Sequence, residues 1–459
     1  MIAAVFFVVL IGAMVVAAMM GGAATAQLPI LELSLLAGVF VVFFGAGIYI
    51  AAALGVLALA AGYAFSDRPF WNFLGQMIWG PSSSFVLVAV PLFLLMGELL
   101  LRSGLSEQLY RALNVFLRRL PGGLLHTNIV SCGVFSAISG SSVATAATMG
   151  SVALPAFRNT GYDPKLVLGS LAAGGALGNL IPPGITFIIY GLITETSVGK
   201  LYIAAVGPSV LVVTLFLAYI AWRGWRTPTA ENALPPATGA EKVHALFDLT
   251  PTVLLILLVL GSIYAGLATA TESAALGVIG AMAFAAARGK LSLSMMHEAA
   301  MSTARTTAMI GLILFGAYLL NFILTSIDLP QTLARFVGGL PFPPWVIMAL
   351  IVGFYLALGT FMEGFSMVIT TIPIVFPIVK ALGYDPIWFG VIVTMLVEIA
   401  MISPPDGTVL YVLQGMRRDG GTIGDVFAGV WPFVLLYIGA IAVLMAVPQI
   451  ALWLPRVLT

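Results

Sequence analysis

Two stretches of this sequence place main-chain oxygen where a helix would normally hide it. The first is Gly178-Asn179-Leu180-Ile181-Pro182-Pro183-Gly184, and the second is Ala400-Met401-Ile402-Ser403-Pro404-Pro405-Asp406-Gly407. Each lies in an apolar run long enough to cross a bilayer. Proline has no N–H, and its ring clashes with the carbonyl one turn earlier, so two in a row interrupt a helix. In lipid, the freed carbonyls and amides must find new partners. A matched pair of such interruptions at membrane depth is the pattern of a transport site. Carbonyl and hydroxyl oxygens are hard ligands that suit sodium. The half-helix N-termini beside them offer N–H groups and a positive dipole end to an anion.

Upstream of each proline pair lies a segment with a small, polar centre. One is Phe135 to Thr145, containing Ser139-Gly140-Ser141-Ser142; the other is Leu358 to Ser366, containing Gly359-Thr360-Phe361-Met362-Glu363-Gly364. Each apolar segment is too long for one crossing and too short for two. It suits a re-entrant hairpin with its tip buried against protein. The pairing predicts one sodium site from Ser139, Gly140, Ser141, Ser142, Gly178, Asn179 and Pro182. It predicts a second from Gly359, Thr360, Glu363, Ser403, Pro404 and Gly407. An anionic substrate would meet Ser142, Thr145, Pro183, Gly184 and Asp406. Small residues also let membrane helices pack closely; the coincidence of two tips with two breaks favours the site.

Three carboxylates, Glu363, Glu398 and Asp406, lie at membrane depth, where charge is costly and faces a partner or pathway. Glu363 is the best side chain for a cation, and Glu398 reads as a support for its own proline break. Asp406 stands where the first half has Gly184, so the two sites differ chemically. Glu272, after Thr269, reads as a helix cap. Arg305 reads as a cation reaching back to the interface. No HExxH, Ser–His pairing or nucleotide loop occurs, and the carboxylates are too dispersed for an acid–base pair. The chain therefore reads as a non-enzyme, with no catalytic residues, cofactor or transition-metal site.

The elements that must carry these residues are membrane helices. Of 459 residues, 61% are hydrophobic and 8% charged, against roughly a quarter charged in soluble domains. A net charge of +1 gives no case for nucleic acid, and a single cysteine, Cys132, excludes an intrachain disulfide. The fold class is an all-α polytopic membrane protein. Its halves are repeats: Gly161-Tyr162-Asp163-Pro164 recurs as Gly383-Tyr384-Asp385-Pro386. Ala52 to Val56 recurs as Ala274 to Val278, and Pro155 recurs as Pro377. Pro182-Pro183 recurs as Pro404-Pro405 at the same offset (404 − 182 = 222). Four anchors in one register establish a duplication.

The expected organisation is an extra N-terminal membrane helix in 1–26, a first repeat in 27–223, a polar connector in 224–249 and a second repeat in 250–459. The hairpins fall near 126–157 and 343–379, and the broken helices near 166–193 and 386–414. Lysines and arginines at 102, 111, 118, 119, 158, 165, 223, 226, 242, 288 and 290 mark the cytoplasmic side. Following the crossings from there, the second repeat begins on the opposite side from the first, so the repeats are inverted. Two amphipathic stretches, Leu105 to Leu120 and Leu329 to Val337, read as interfacial arms.

At these motifs the chain resembles the large membrane subunit of tripartite ATP-independent periplasmic (TRAP) transporters. The resemblance rests on Ser139 to Ser142, Gly161 to Pro164 with Ile181-Pro182-Pro183, Gly266 to Glu272, and Gly383 to Pro386 with Ser403 to Gly407. It covers about residues 30–455. It implies a bacterial inner-membrane protein and sodium-coupled uptake of an organic acid. A transport domain holding both hairpins would slide, elevator-fashion, against a scaffold. The implied partners are a small four-helix membrane subunit and a periplasmic substrate-binding protein. The family's chains usually begin near Gln27, so Met1 to Met20 is an addition, expected to dock the small subunit. The family tends to carry a small residue at Asp406. Two rivals are a stand-alone sodium/dicarboxylate symporter and an anion channel. Moving one charge through 100 mV is worth about 2.3 kcal/mol; at least two sodium ions, one per site, would make a monoanion's entry favourable.

Overall fold

A computed structural model describes residues 38, 49–65, 71–158, 160–227 and 237–458. The expected extra helix in 1–26 lies outside them. The described residues are helical, in the order α1 (Ile50–Phe65), α2 (Leu74–Ser82), α3 (Ala89–Ser103), α4 (Leu105–Leu117), α5 (Leu124–Ser139), α6 (Ser142–Ala156), α7 (Pro164–Gly175), α8 (Ile185–Thr194), α9 (Val198–Arg226) and α10 (Gly239–Ile256). Then come α11 (Ala270–Ala287), α12 (Leu293–Ser326), α13 (Leu329–Gly338), α14 (Pro344–Leu358), α15 (Gly364–Ala381), α16 (Pro386–Ile402), α17 (Thr408–Met416), α18 (Ile423–Ala446) and α19 (Gln449–Leu458). Among the described residues, seven helices are long and apolar enough to cross a membrane. The chain is an all-α polytopic membrane protein.

The recurring Gly-Tyr-Asp-Pro motif is a device for starting a helix. Gly161 and Gly383 both take positive φ, 78° and 82°, a conformation open to glycine. Asp163 then accepts a hydrogen bond from the Lys165 N–H at 3.0 Å, and Asp385 from the Ile387 N–H at 2.7 Å. Pro164 and Pro386 occupy the first turn, where a missing N–H costs nothing. The same three-part cap thus launches α7 and α16, the first halves of the two interrupted helices.

The duplication is visible in which helices touch. Shifting by 222 residues carries α1 onto α11, α3 onto the second half of α12, α6 onto α15, α7 onto α16, α8 onto α17 and α9 onto α18. Contacts between the halves come in exchanged pairs. The helix α1 packs on α12 as α11 packs on α3; α6 packs on α17 as α15 packs on α8; α7 packs on α18 as α16 packs on α9. Such exchange is what a two-fold relation between intertwined repeats produces.

One sequence expectation needs correction. The polar stretch 224–249 does not remain a connector throughout: α9 continues to Arg226, and α10 already starts at Gly239. The reason is a capping box. Thr238 accepts from the Glu241 N–H at 3.2 Å, and Glu241 accepts from the Thr238 N–H at 2.8 Å, which satisfies two otherwise orphaned donors. Glu272 and Thr269 form the same box at the start of α11. The amphipathic stretches form α4 and α13, with Leu105, Leu109, Leu329 and Leu333 buried.

Candidate functional site: two hairpins against two interrupted helices

The first hairpin has arms too short to span. The arms α5 and α6 contain 16 and 15 residues, a rise of about 24 and 22 Å against a core of about 30 Å. They meet at Gly140, whose φ of +62° turns the chain. Ser141 caps α6 by accepting from the Ala144 N–H. The Ser139 and Thr145 hydroxyls pair across the tip at 2.8 Å, both buried. In the second hairpin, α14 ends at Leu358, and Glu363 caps α15 by accepting from the N–H and hydroxyl of Ser366 at 3.0 and 3.1 Å. Deeper in its arms, the Tyr355 and Thr371 hydroxyls meet at 2.6 Å.

The interrupted helices stop short of their prolines. The helix α7 ends at Gly175 and resumes as α8 at Ile185, while α16 ends at Ile402 and resumes as α17 at Thr408. Both Pro–Pro bonds are cis. The first break receives the first tip directly. A Cβ on Gly178 would sit 2.3 Å from the Ser142 nitrogen, and one on Gly140 would sit 2.6 Å from the Pro183 oxygen. The Ile185 N–H donates to the Gly140 carbonyl at 3.3 Å. A Cβ on Gly184 would fall 1.8 Å from the Asn179 carbonyl oxygen, so the loop closes on itself only with glycine there.

At this junction Glu398, wholly buried, reaches in from α16 of the other repeat. Its carboxylate accepts from the Ser142 hydroxyl at 2.7 and 2.9 Å and from the Asn179 N–H at 2.6 Å. Asn179 Nδ2 donates to Ser142 Oγ at 3.0 Å, and Asn179 Oδ1 is buried with no hydrogen-bond partner among the described residues. No lysine, arginine or histidine within the described residues pairs with Glu398. The Tyr437 hydroxyl, on α18, donates to the Ala176 carbonyl at 3.3 Å and fastens the end of α7.

Thus Ser139, Gly140, Ser141, Ser142, Gly178, Asn179, Pro182, Pro183 and Gly184 come together, with Thr145 on the tip's inner side. By sequence position Glu398 reads as a support for its own break; in the structure it clamps the other one. The sequence held one signal: a carboxylate one turn before Met401, the repeat mate of Asn179. Only the intertwining of the repeats shows where it points.

The second junction is looser. Gly359 and Gly364 press on Ala400 and Val397 of α16, with Cβ positions 2.7 and 2.6 Å away. Ser403 and Gly407 are buried, Thr360, Glu363 and Pro404 half-buried, and Asp406 exposed. The Thr360 hydroxyl turns back to the Ala357 carbonyl at 2.7 Å. Glu363 is committed to its cap and lies within electrostatic reach of Asp406. No described group of three or more His, Cys, Asp or Glu could hold a metal ion.

Intertwined repeats, paired re-entrant tips and paired interruptions define a polytopic membrane transport protein. The chain belongs to the tripartite ATP-independent periplasmic transporter family, DctM component, whose model matches residues 37–450. It is similar to the C4-dicarboxylate TRAP transporter large permease protein of Rhodobacter capsulatus, 30% identical over 92% of this chain and 98% of that one. It is also similar to the isethionate TRAP transporter permease protein of Oleidesulfovibrio alaskensis, 32% identical over 92% of this chain, of whose length it spans 66%. The sialic acid TRAP transporter large permease of Vibrio cholerae is 30% identical over 84% of this chain and 90% of its own. In fold, the chain resembles the crystal structure of the Alcanivorax borkumensis YdaH transporter, with a TM-score of 0.62 at 18% identity over 88% of this chain and 97% of that one. It is a large permease subunit of the TRAP family, a secondary transporter and a multi-pass inner-membrane protein.

Proposed function

We propose that this subunit imports a small organic anion together with sodium, handed over by a periplasmic binding protein and assisted by a small four-helix membrane subunit. The observation that carries the sodium reading is the first junction. Among the described residues, the wholly buried carboxylate of Glu398 has no cationic side chain paired with it, and Asn179 Oδ1 nearby has no hydrogen-bond partner. A buried charge is tolerated when paired, and a small cation held by the tip and the break would pair it. The second junction, with Glu363, Ser403 and Gly407, would take a second ion. The anion reading is supported by the solutes named for the relatives: C4-dicarboxylate, isethionate and sialic acid each carry a carboxylate or sulfonate.

Movement would follow an elevator. The hairpins and interrupted helices form the moving body, residues 124–194 and 344–416, and α1, α3, α11 and α12 belong to the scaffold. The first repeat would occupy 27–223 and the second 250–459. The test is uptake in proteoliposomes containing the large and small subunits. Expected is accumulation that needs an inward sodium gradient and a solute-loaded periplasmic binding protein. Accumulation with potassium replacing sodium would remove the coupling. Accumulation without any binding protein would make this a stand-alone symporter.

A further inference from the structure

The two-fold relation maps one cavity onto another, and the two are not alike. Gly150, Ser151, Leu154 and Pro155 of α6 line a cavity of about 680 Å³ against the end of α17. Their repeat mates Ile372, Pro373, Phe376 and Pro377 of α15 line a cavity of about 190 Å³ against the end of α8. Bulk explains part of the difference, since isoleucine replaces glycine and phenylalanine replaces leucine. Cover explains more: Asn321 and Thr325 of α12 with Pro330 and Gln331 of α13 line the small cavity and take up its space.

Charge separates them further. Among the described residues, none that lines the small cavity is charged. The large one carries Arg158, Arg417, Arg418 and Asp419. Arg417 is committed, with Nε 2.5 Å from Asp419 Oδ1 and Nη1 3.0 Å from Asp425 Oδ2. Those hydrogen bonds from Arg417 hold the Asp419 carboxyl below the usual range, so it stays ionised and cancels its partner. Arg158 and Arg418 are exposed and make no ion pair with any described residue. Gly150 is eight residues beyond Ser142, about 12 Å along α6. Leu413 and Met416 sit on it. The cavity therefore runs from two turns beyond the first tip to the surface.

We propose that this cavity is an oxyanion-binding vestibule, with Arg158 and Arg418 as its ligands, through which a carboxylate leaves the first tip for the cytoplasm. The proposal rests on the transport reading and on the positive-inside orientation of Arg158. Guanidinium groups match planar carboxylates in geometry and charge. Two uncommitted arginines in one concavity raise the local concentration of anions.

The test needs no knowledge of the solute. Ser151→Cys, on the cavity wall, is labelled in membrane vesicles of each sidedness. The reagents are an anionic methanethiosulfonate, the sulfonatoethyl form, and a cationic one, the trimethylammonioethyl form. Cys132 is buried, so the unsubstituted protein serves as the blank. Relative to its rate with a small free thiol, the anionic reagent is expected to be favoured over the cationic one, and only from the cytoplasmic face. Arg158→Gln with Arg418→Gln should lower the anionic-to-cationic rate ratio about fivefold or more. Lysine at both positions should restore it, which a folding defect would not allow. Acetate should slow labelling more than chloride at equal ionic strength, and the glutamine pair should abolish the difference.

An unchanged ratio, equal effects of acetate and chloride, or labelling from the periplasmic face would overturn the assignment. Reconstitution separates the two sources of an oxyanion. If the acetate effect is seen in phosphatidylcholine and is lost with phosphatidylglycerol, the arginines serve lipid headgroups and the release role falls. Sodium-driven uptake in the same vesicles separates this failure from that of the transport reading. Uptake without the labelling pattern removes only the vestibule; the pattern without uptake removes the release role with the transport reading.

Discussion

The first junction is sealed and the second is open, although both descend from one ancestral hairpin and one ancestral break. In the first, the tip, the break and a carboxylate borrowed from the other repeat are buried together. In the second, Glu363 and Pro404 are half-buried, Asp406 is exposed, and the tip presses on α16 before the break. The substitutions responsible can be named. Asn179 corresponds to Met401, Ser142 to Gly364, Gly184 to Asp406 and Ala176 to Glu398. Polar side chains at the tip and break have been kept in one half, while their charged clamp is supplied by the other. Duplication therefore conserves the path of the backbone, and the chemistry is divided between the copies.

The largest expected effect comes from giving the first break the second one's side chain. Gly184→Asp, or Gly184→Ala, places a Cβ 1.8 Å from the Asn179 carbonyl oxygen. Backbone cannot yield that far without reopening the loop, at a cost of several kcal/mol. Uptake should vanish and the detergent-solubilised protein should melt earlier. The reciprocal change, Asp406→Gly, removes an exposed side chain that makes no ion pair with any described residue; it should leave the melting temperature within about a degree and act on uptake alone. Equal melting losses in the two variants would show that the junctions are equivalent after all.

Next in size is Glu398. Glu398→Gln keeps the shape but turns an amide NH2 toward a junction already supplied with donors from Ser142 and Asn179. Losing a charge-assisted acceptor costs about 1.5–3 kcal/mol. The sodium concentration for half-maximal uptake should rise roughly ten- to hundredfold, with less change in the substrate KM. Glu363→Gln disturbs a helix cap and should raise it less than tenfold, since a lost cap costs about 1 kcal/mol. A sodium dependence shifted more by Glu363→Gln than by Glu398→Gln would reverse the ranking of the two junctions.

A smaller step tests the first tip alone. Thr145→Val keeps volume and removes the hydroxyl pair with Ser139. A buried neutral hydrogen bond is worth about 1 kcal/mol, more if Ser139 is left unpaired. The tip should open more readily, seen as faster amide exchange over 139–145, with α14 and α15 unaffected. Uniform exchange across both hairpins would mean that the tips are not independent.

Much of this was legible in the residues. The 222-residue register and the doubled prolines announce the repeats, and the Gly/Ser tips lie next to the breaks that the sequence pairs them with. The helical start at Gly239 was hidden because prolines and acids in 228–241 look like linker, while a capping box needs only Thr238 and Glu241. The role of Glu398 was hidden for a deeper reason. Periodicity places a residue on its own helix and within its own repeat, but contacts across a two-fold depend on how the copies interlock. The same holds for the cavities, whose sizes follow from α12 and α13 covering one arm more fully than α3 and α4 cover its mate.

The smallest effect concerns the loop after α17, which faces solvent beside the large cavity and carries Arg417 where the loop after α8 carries Glu195. The Asp419 carboxyl is held below its usual range by hydrogen bonds from Arg417. A depressed folded-state value means that the contribution is present above the unfolded value of about 3.9 and is lost as pH falls through the folded one. Arg417 keeps its charge throughout that range. Melting temperature should therefore fall below about pH 4 in the wild type, and Arg417→Gln should flatten that limb. Asp419 is 52% exposed, so solvent screens the pair, and the shift should be only a degree or two. Asp425, 29% exposed and shared between Arg417 and Lys165, ties the same loop to α7. Asp425→Asn should lower the plateau at neutral pH while leaving the acid limb in place. If Asp425→Asn instead removes the acid limb, the loop is anchored through α18 and α7, and the Asp419 contact is incidental.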